Sequence, residues 1–308
     1  MGLKLVYLGT PSFAVPPLEA LLAAGHEIAA VYTQPDRPKG RGREMAASPV
    51  KECALRHGLT VHQPERVRRP EVAEQLRAFQ PDAMAIVGYG QIIPQSIIDI
   101  PRLGIVNVHA SLLPLYRGAA PIQWSIANGE TRTGVTTMRI DAGLDTGDIL
   151  LQWDTAIGPR ETAPELGARL AQAGATLLVQ SLDGLDRGAI VPRPQDHACA
   201  TLAPILKKED GRVDWTWPAA RIDARCRGFQ PWPGAYAEFR GQVLQIFECR
   251  PAEGRGEPGV ILPDRKRLLV ACGDGAIELE QVQLQGRKRI NGEAFRNGQR
   301  LLDNDRLS

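Results

Sequence analysis

Short hydrophobic runs alternate with segments of helical periodicity over the first 188 residues of this 308-residue chain. Runs rich in Val, Ile and Leu predict strands at residues 4–8, 27–32, 60–62, 82–88 and 104–108. Apolar residues at helical spacing predict helices at 13–24, 50–57, 70–79 and 162–185. Strands of continuous apolar character that alternate with helices are typical of a parallel sheet covered on both faces. We therefore expect an α/β domain over residues 1–188, a doubly wound and mostly parallel sheet that is Rossmann-like.

The pattern changes after residue 188. Residues 189–205 contain Pro192, Pro194 and Pro204 without periodicity, which indicates an extended linker. Beyond it, short alternating runs separated by glycine-containing turns predict strands at 235–240, 243–248, 259–262, 268–272 and 276–282. Several short strands of this kind are typical of a small antiparallel β-barrel, OB-like in form, which we expect over residues 206–308.

Composition adds little to this picture. Residues 205–308 carry 18 of the Lys and Arg residues and 15 of the Asp and Glu residues, so their basic excess is small. No hydrophobic run approaches the ~20 residues that span a bilayer, and the N-terminus lacks a signal-peptide pattern, so we expect a cytoplasmic protein. The five cysteines form no Cys-x-x-Cys pair and most histidines are isolated, which indicates neither a disulfide framework nor a metal site.

Candidate chemistry begins at Asn107 and His109, two residues apart at the end of a predicted strand. Both side chains leave the same face of the strand, at the carboxyl edge of the sheet, where ligands usually bind. An imidazole and an amide N–H can stabilise an oxyanion that forms on an acyl carbon, and a carboxylate such as Asp145 can fix the imidazole tautomer. Alone, His109 is better explained as a buried histidine bonded to a backbone carbonyl, and Asp145 as a turn residue. Only their combination favours catalysis.

The motifs around these residues resemble the folate-dependent formyltransferases. That superfamily resemblance is carried by two motifs, Asn107-Val-His109-Ala-Ser-Leu-Leu-Pro114 and the later Leu144-Asp145-Thr-Gly147. Further motifs are similar to the methionyl-tRNA formyltransferases, the tRNA-directed family: Leu8-Gly-Thr-Pro11, Thr33-Gln-Pro-Asp-Arg-Pro38 and Arg117-Gly-Ala-Ala-Pro-Ile-Gln123. The resemblance extends over the whole chain.

The resemblance implies a reaction in which the formyl group of 10-formyltetrahydrofolate passes to the α-amino group of methionine on initiator tRNA, for translation initiation. It implies that Asn107 and His109 stabilise the tetrahedral oxyanion, and that Asp145 orients His109 and relays protons. The one-carbon donor, 10-formyltetrahydrofolate, is expected to contact the segment Ser111, Leu112, Leu113 and Pro114. No metal is implied, and we expect a monomer.

The resemblance also implies contacts with initiator methionyl-tRNA. A loop rich in glycine and proline carries four cations that we expect to face the acceptor end of the tRNA: Arg37, Lys39, Arg41 and Arg43. Glu44 stands where related loops often carry another basic residue. In the C-terminal part, Lys207 and Lys208 are candidate contacts to the tRNA backbone. Without the resemblance, such charges are more often those of a solvated surface.

Several alternatives share parts of this pattern. A formyltransferase that acts on a sugar nucleotide amine or on glycinamide ribonucleotide would use the same three catalytic side chains, but would need neither the basic loop nor the C-terminal barrel. A formyltetrahydrofolate hydrolase would use the same three side chains with water as the nucleophile. An RNA-binding module without catalysis leaves them unexplained, and a dehydrogenase would need the Gly-x-Gly-x-x-Gly turn that is absent after the first strand.

Overall fold

The computed structural model describes residues 2–39, 44–302 and 305–308, which form two compact units. The first unit comprises Met1–Gly118, Thr133–Thr155 and Gly167–Leu202. The second comprises Ala119–Arg132, Ala156–Leu166 and Ala203–Ser308. Two segments that precede residue 188 therefore pack with the C-terminal part of the chain.

The helices are α1 (Val15–Ala23), α2 (Pro49–Arg56), α3 (Pro70–Ala78), α4 (Gln95–Ile98), α5 (Pro121–Ala127), α6 (Ala163–Asp186), α7 (Ala219–Gly228) and α8 (Gly292–Gln299). The first eleven strands are β1 (Lys4–Gly9), β2 (Glu27–Tyr32), β3 (Arg37–Lys39), β4 (Glu44–Ala46), β5 (Val61–His62), β6 (Ala83–Val87), β7 (Ile105–His109), β8 (Arg117–Gly118), β9 (Arg132–Arg139), β10 (Ile149–Ala156) and β11 (Leu202–Ala203). The remaining strands are β12 (Ala235–Phe239), β13 (Gln242–Ala252), β14 (Ile261–Leu262), β15 (Leu269–Ala271), β16 (Ala276–Leu284) and β17 (Ile290–Asn291). No described helix has both the length and the apolar character needed to cross a membrane.

The first unit is built on a seven-stranded sheet in the order β10-β9-β7-β6-β1-β2-β5. The pairs from β7 to β5 are parallel, whereas β9 runs antiparallel to β7. β1, β6 and β7 are apolar along most of their length and almost entirely buried, as expected for strands covered on both faces. The prediction of a doubly wound, mostly parallel sheet is confirmed.

A close helix contact fixes the face of β7 that carries the candidate chemistry. A Cβ atom at Gly174 of α6 would lie 2.7 Å from Cγ1 of Val108, so α6 packs directly on the Val108 face of the strand. Asn107 and His109 alternate with Val108 and therefore lie on the opposite face. Both are nevertheless buried, and the chain that follows β7 folds back onto His109 at Tyr116.

The second unit contains a six-stranded antiparallel sheet in the order β12-β13-β16-β15-β14, with β17 paired to β16. Register shifts in β13, between Ile246 and Glu248 and between Glu248 and Cys249, bend its long pairing with β16. Inside the curve, Phe239 and Phe295 meet edge to face with ring centroids 5.3 Å apart. The predicted small antiparallel barrel is confirmed as a curled half-barrel.

The sequence pattern missed some elements. Strands β9 and β10 and helices α5, α7 and α8 were not predicted. The segment interpreted as a linker contains a 3₁₀ turn at His197–Cys199, and Gln195 within it is buried. The segment predicted as a linker is therefore packed into the first unit as far as Leu202, and is not a free connection.

Candidate active site

His109 is the last residue of β7, and its imidazole is held by backbone that follows the strand. Nε2 lies 2.9 Å from the carbonyl oxygen of Tyr116, and the residue is only 5% exposed. Because a carbonyl oxygen can only accept, Nε2 carries the hydrogen and donates it. Nδ1 is therefore the ring nitrogen whose lone pair is free to accept. The contact expected of a structural histidine thus leaves one nitrogen available for chemistry.

Asp145 faces that nitrogen. Its Oδ2 lies 3.7 Å from Nδ1 of His109 and accepts a hydrogen bond of 2.9 Å from the backbone N–H of Gly118. The 3.7 Å separation is too long for a hydrogen bond but suits an ion pair once the ring is protonated. Asp145 has a φ of 51°, in the left-handed region that Asp tolerates better than most residues.

The loop that carries Asp145 is braced internally. One carboxylate oxygen of Asp141, Oδ1, accepts from the backbone N–H of Gly143 at 3.0 Å and from Oγ1 of Thr146 at 2.7 Å. A Cβ atom at Gly147 would lie 1.9 Å from the carbonyl oxygen of Arg139, so only glycine fits there. The glycine spacing that the sequence indicated as a turn therefore has a structural cause, and the same turn presents Asp145.

Asn107 completes the group. It is 7% exposed and lies on the same face of β7 as His109, and its side chain forms no hydrogen bond with any residue in the described part of the chain. The three side chains offer an unused amide donor, an imidazole nitrogen with a free lone pair, and a carboxylate. This set can stabilise a negative oxygen and move a proton, without a nucleophilic side chain.

The segment predicted to contact folate follows β7 and is largely occupied by internal hydrogen bonds. Ser111 donates from Oγ to the carbonyl oxygen of Leu115 at 2.6 Å and accepts at its own carbonyl from Oγ1 of Thr136 at 2.7 Å. The backbone N–H of Leu113 donates to Oγ1 of Thr136, and its carbonyl accepts from Nε2 of Gln152. These bonds fix the shape of the segment. Contact between residues 111–114 and the folate stays a prediction.

Four groups of this site were not identified from the sequence as parts of it. The Tyr116 carbonyl and the Gly118 N–H are backbone groups, for which side-chain patterns give no signal. Arg117 was noted only within a motif of the resemblance. Gln195 lies in a proline-containing segment without periodicity, and nothing in its local sequence marks it. Its buried contacts appear only after the chain has folded.

At the two ends of the basic loop, β3 and β4 pair as antiparallel strands, with Arg37 opposite Ala46 and Lys39 opposite Glu44. Arg37 is exposed. Arg41 and Arg43 lie outside the described residues.

Lys207 and Lys208 are both exposed at the start of a 3₁₀ turn, Lys208–Gly211. The backbone N–H of Lys207 donates to Oδ2 of Asp210 at 2.7 Å. Neither ammonium group forms an ion pair with any residue that the structure describes. Within the described residues, nothing neutralises the two cations, and their contact with RNA stays a prediction.

One further group of ligand-type side chains lies on helices α1 and α2. Oxygen, sulfur and nitrogen atoms of Glu19, Cys53 and His57 lie within 4.8 Å of one another. The sequence spacing did not indicate this grouping. Arg56 lies 3.7 Å from the Glu19 carboxylate, and burial raises the pKa of the Cys53 thiol. Both effects oppose binding of a cation by these groups.

Comparison with known proteins identifies relatives of the whole chain. The family model described as "Formyl transferase" matches residues 3–182, and "Formyl transferase, C-terminal domain" matches residues 205–300. The chain is 65% identical over 307 residues to a methionyl-tRNA formyltransferase of Solibacter usitatus, covering 99% of this chain and 98% of the relative. It is 54% identical to a methionyl-tRNA formyltransferase of Acidobacterium capsulatum, with 99% of each chain covered.

Solved structures of lower identity share the fold. A structure of WlaRD, a sugar 3N-formyl transferase in the presence of dTDP and 5-N-formyl-THF, superposes with a TM-score of 0.69 at 19% identity, over 94% of this chain and 100% of the other. HypX from Aquifex aeolicus in complex with tetrahydrofolic acid superposes with a TM-score of 0.65 at 18% identity, over 96% of this chain and 47% of the other.

Proposed function

Because the chain belongs to the methionyl-tRNA formyltransferase family, we propose that Asn107, His109 and Asp145 perform its formyl transfer. The protein transfers the formyl group of 10-formyltetrahydrofolate to the α-amino group of methionine on initiator tRNA. The observation that supports these residue roles is the convergence of Nδ1 of His109 and Oδ2 of Asp145 at 3.7 Å, with the unbonded Asn107 amide on the same strand face.

The proposed mechanism follows from what each group can donate or accept. The neutral amine attacks the formyl carbon, a C–N bond forms, and the carbonyl electron pair moves to oxygen. Asn107 donates its amide N–H to that oxygen, and the protonated His109 stabilises it through Nδ1–H. When the bond to the folate nitrogen breaks, that nitrogen gains a proton and the amine loses one. The oxyanion's electron pair re-forms the carbonyl as that bond breaks, and Asp145 accepts the amine proton through water, passes it on to the folate nitrogen and stabilises the imidazolium.

Apart from bonds to hydrogen, the C–N bond to folate is the only bond that the reaction breaks. Groups that move protons and a hydrogen-bond donor to the oxyanion are therefore sufficient for catalysis.

We infer that segment 111–114 contacts the folate through the side chains of Leu112 and Pro114, since Ser111 and Leu113 are buried and bonded internally. We also propose that the enzyme acts as a monomer in the cytoplasm, where charged initiator tRNA is used.

We propose tRNA contacts for exposed cations that form no ion pair with a residue in the described ranges. Arg37 is exposed on β3, and Lys207 and Lys208 are exposed in the second unit. We include Lys39, Arg41 and Arg43 from the sequence resemblance. Exposed cations that lack a carboxylate nearby are those best able to contact phosphates.

The test is transfer of labelled formyl from 10-formyltetrahydrofolate to methionine-charged initiator tRNA, with charged elongator tRNA and a reaction in water alone run in parallel. We expect label on the initiator aminoacyl end, and at least a ~100-fold lower kcat for His109→Ala. His57→Ala, a change at an exposed histidine, is the control. A His109→Ala enzyme with wild-type kcat would overturn the proposed role, and release of free formate without labelled tRNA would identify a hydrolase.

A further inference from the structure

Gln195 uses every hydrogen-bonding position of its side-chain amide within the active-site region. Its Nε2 donates to the carbonyl oxygen of Asp145 at 2.9 Å and to that of Gly147 at 2.7 Å. Its Oε1 accepts from Nε and Nη2 of Arg117 at 3.1 and 2.7 Å. Carbonyls can only accept and a guanidinium can only donate, so these contacts also fix the orientation of the amide.

Arg117 is positioned between the two backbone groups that hold the proposed catalytic side chains. The preceding residue, Tyr116, gives the carbonyl that binds Nε2 of His109, and the following residue, Gly118, gives the N–H that binds Asp145. Arg117 itself is 7% exposed, and no carboxylate lies within 4.0 Å of it among the described residues. The guanidinium of Arg117 therefore donates to neutral acceptors. Two of its hydrogen bonds go to Oε1 of Gln195.

Arg117 also contacts the residues that follow Gln195. Nη2 of Arg117 lies 3.0 Å from Nδ1 of His197, two residues after Gln195. The backbone N–H of Arg117 donates to the carbonyl oxygen of Thr201 at 2.8 Å. Segment 195–201 thus contacts the backbone beside His109 and, through Gln195, the loop that carries Asp145.

We propose that Gln195 is a positioning residue for formyl transfer, which sets the separation of Asp145 from His109 by bonding the Asp145 loop to Arg117. We name this pair, Arg117 and Gln195, the amide clamp. The inference rests on the proposed catalytic roles of His109 and Asp145. It adds a residue from a segment that neither the sequence motifs nor the family resemblance marked.

The clamp has a physical task that the loop cannot perform alone. The loop is cross-braced by Asp141, but that bond lies entirely within the loop and does not fix its distance from β7. Leu144, immediately before Asp145, is 63% exposed, so apolar packing does not hold this part of the loop. Displacement of a catalytic group by about 1 Å is enough to reduce turnover strongly. The bond from the Gly118 N–H holds the Asp145 carboxylate, whereas Gln195 ties the backbone carbonyls of the loop to the side chain of Arg117.

Gln195→Glu tests the proposal with almost no change in shape. The carboxylate still accepts from Arg117, but it has no hydrogen to donate and repels the carbonyl oxygens of Asp145 and Gly147. We expect kcat to fall at least tenfold, while KM for 10-formyltetrahydrofolate and for methionyl-tRNA changes less than about threefold. The pH profile of kcat should also change, because Asp145 no longer faces Nδ1 of His109 at the same distance. Gln172→Glu, the same chemical change at an exposed site of α6, is the control and should behave as wild type.

A double-mutant cycle separates positioning from general damage. In an Asp145→Asn background, Gln195→Glu should lower kcat by less than about twofold, because the group it positions has lost its charge. Arg117→Lys breaks the clamp from the other side and should lower kcat in the same direction, so a poorly folded Gln195→Glu protein still leaves a test. Wild-type kcat and pH profile in Gln195→Glu would overturn the inference, as would an equal loss in both backgrounds.

The same experiment distinguishes the inference from the proposed function. If Asp145→Asn and His109→Ala lower kcat strongly but Gln195→Glu and Arg117→Lys do not, the catalytic roles stand and the clamp is wrong. If Asp145→Asn retains wild-type kcat, the proposed role of Asp145 is wrong, and the clamp is overturned with it.

Discussion

Two backbone groups hold the side chains that we propose as catalytic. The Tyr116 carbonyl binds His109 and the Gly118 N–H binds Asp145. Both groups belong to the backbone, so no side-chain substitution removes them. A substitution can change only the side chains that they bind, or the residues that hold the backbone of Tyr116 and Gly118 in position. The site is therefore most informatively probed at Asp145.

Asp145→Asn removes the charge and keeps an oxygen for the Gly118 N–H. We expect the loop to stay in place, because the Asp141 brace and the Gln195 contacts do not involve the replaced carboxylate. The kcat for formyl transfer should fall at least ~100-fold, since neither the imidazolium nor the departing proton meets a carboxylate. Single-turnover kinetics with bound methionyl-tRNA measure this step. A midpoint of thermal unfolding far below wild type would instead place the effect on folding.

Tyr89 allows a prediction about pH and stability. Its ring is 1% exposed, its hydroxyl has no hydrogen-bond partner in the described part of the chain, and burial raises its pKa to about 12. The unfolded chain releases this proton near pH 10 and the folded one near 12, so stability is lost as pH rises through that window. Tyr89→Phe should therefore raise stability by about 1 kcal/mol at pH 7 and flatten the loss between pH 10 and 12.

Urea denaturation of both proteins at pH 7, 10 and 11 measures this difference. Tyr7 also has a strongly raised pKa, but its hydroxyl donates to the carbonyl of Ala14. Tyr7→Phe is therefore the matched control, which should lower stability at pH 7 by about 1 kcal/mol. Equal changes in the two variants would show that hydrogen bonding of the hydroxyl does not matter.

At the level of elements, the contact between α6 and β7 supports the strand that carries Asn107 and His109. A Cβ at Gly174 would lie 2.7 Å from Val108 and 3.4 Å from Val135. Gly174→Ala should lower the free energy of unfolding by roughly 1 to 2 kcal/mol, because overpacking exceeds the gain of about 1 kcal/mol in helix propensity. It should also reduce kcat, since β7 carries Asn107 and His109.

Gly298→Ala in α8 is the matched control, because its Cβ meets no atom within 4 Å. That variant should be more stable by up to about 1 kcal/mol. Thermal unfolding of the wild type, Gly174→Ala and Gly298→Ala measures these differences in stability. A stabilised Gly174→Ala protein would mean that α6 can move away from β7 without cost.

The elements that could and could not be predicted differ in where their polar residues lie. Strand β2 and helix α3 were predicted to within a residue, since their apolar residues follow the period of the element. Strand β9 was missed because Thr133, Thr136 and Thr137 are buried in it, and a buried polar residue breaks the pattern.

The same comparison applies to the site. The shared face of Asn107 and His109 follows from the two-residue period of a strand, and the structure shows it. Asp145 was identified by the family motif, because a turn aspartate looks alike whether or not it is catalytic. Gln195 was not predictable, since its four hydrogen bonds join it to residues about 50 and 78 positions away in sequence. Contacts of that kind leave no local signal.

At the level of the whole molecule, the division into units shows what a linear pattern cannot convey. The alternation of strands and helices predicted the class of fold, but not that α5 belongs to the second unit. There, a Cβ at Gly228 of α7 would lie 2.7 Å from the carbonyl oxygen of Gln123, and the rings of Trp124 and Phe229 meet edge to face. Such packing depends on side-chain shape across about a hundred residues.

Binding of the large polyanionic substrate is a property of the whole molecule. Lys207→Ala and Lys208→Ala should each raise KM for methionyl-tRNA, leave kcat unchanged, and reduce the slope of log affinity against log salt by about one if the lysine contacts a phosphate. Lys4→Ala is the control, because Lys4 lies 4.0 Å from Glu27. Filter binding at several salt concentrations measures the slopes. Slopes equal to wild type would remove these lysines from the interface.

The bond from Nε2 of His109 to the Tyr116 carbonyl also has a spectroscopic consequence. A ring whose Nε2 proton is committed to a carbonyl exists as a single neutral tautomer instead of the mixture found in free histidine. In ¹⁵N spectra of the labelled protein, the Nε2 resonance should keep a protonated, pyrrole-type shift across the pH range, and only Nδ1 should move. His109 would thus act on the reacting oxygen through one nitrogen, Nδ1, in both directions of the reaction.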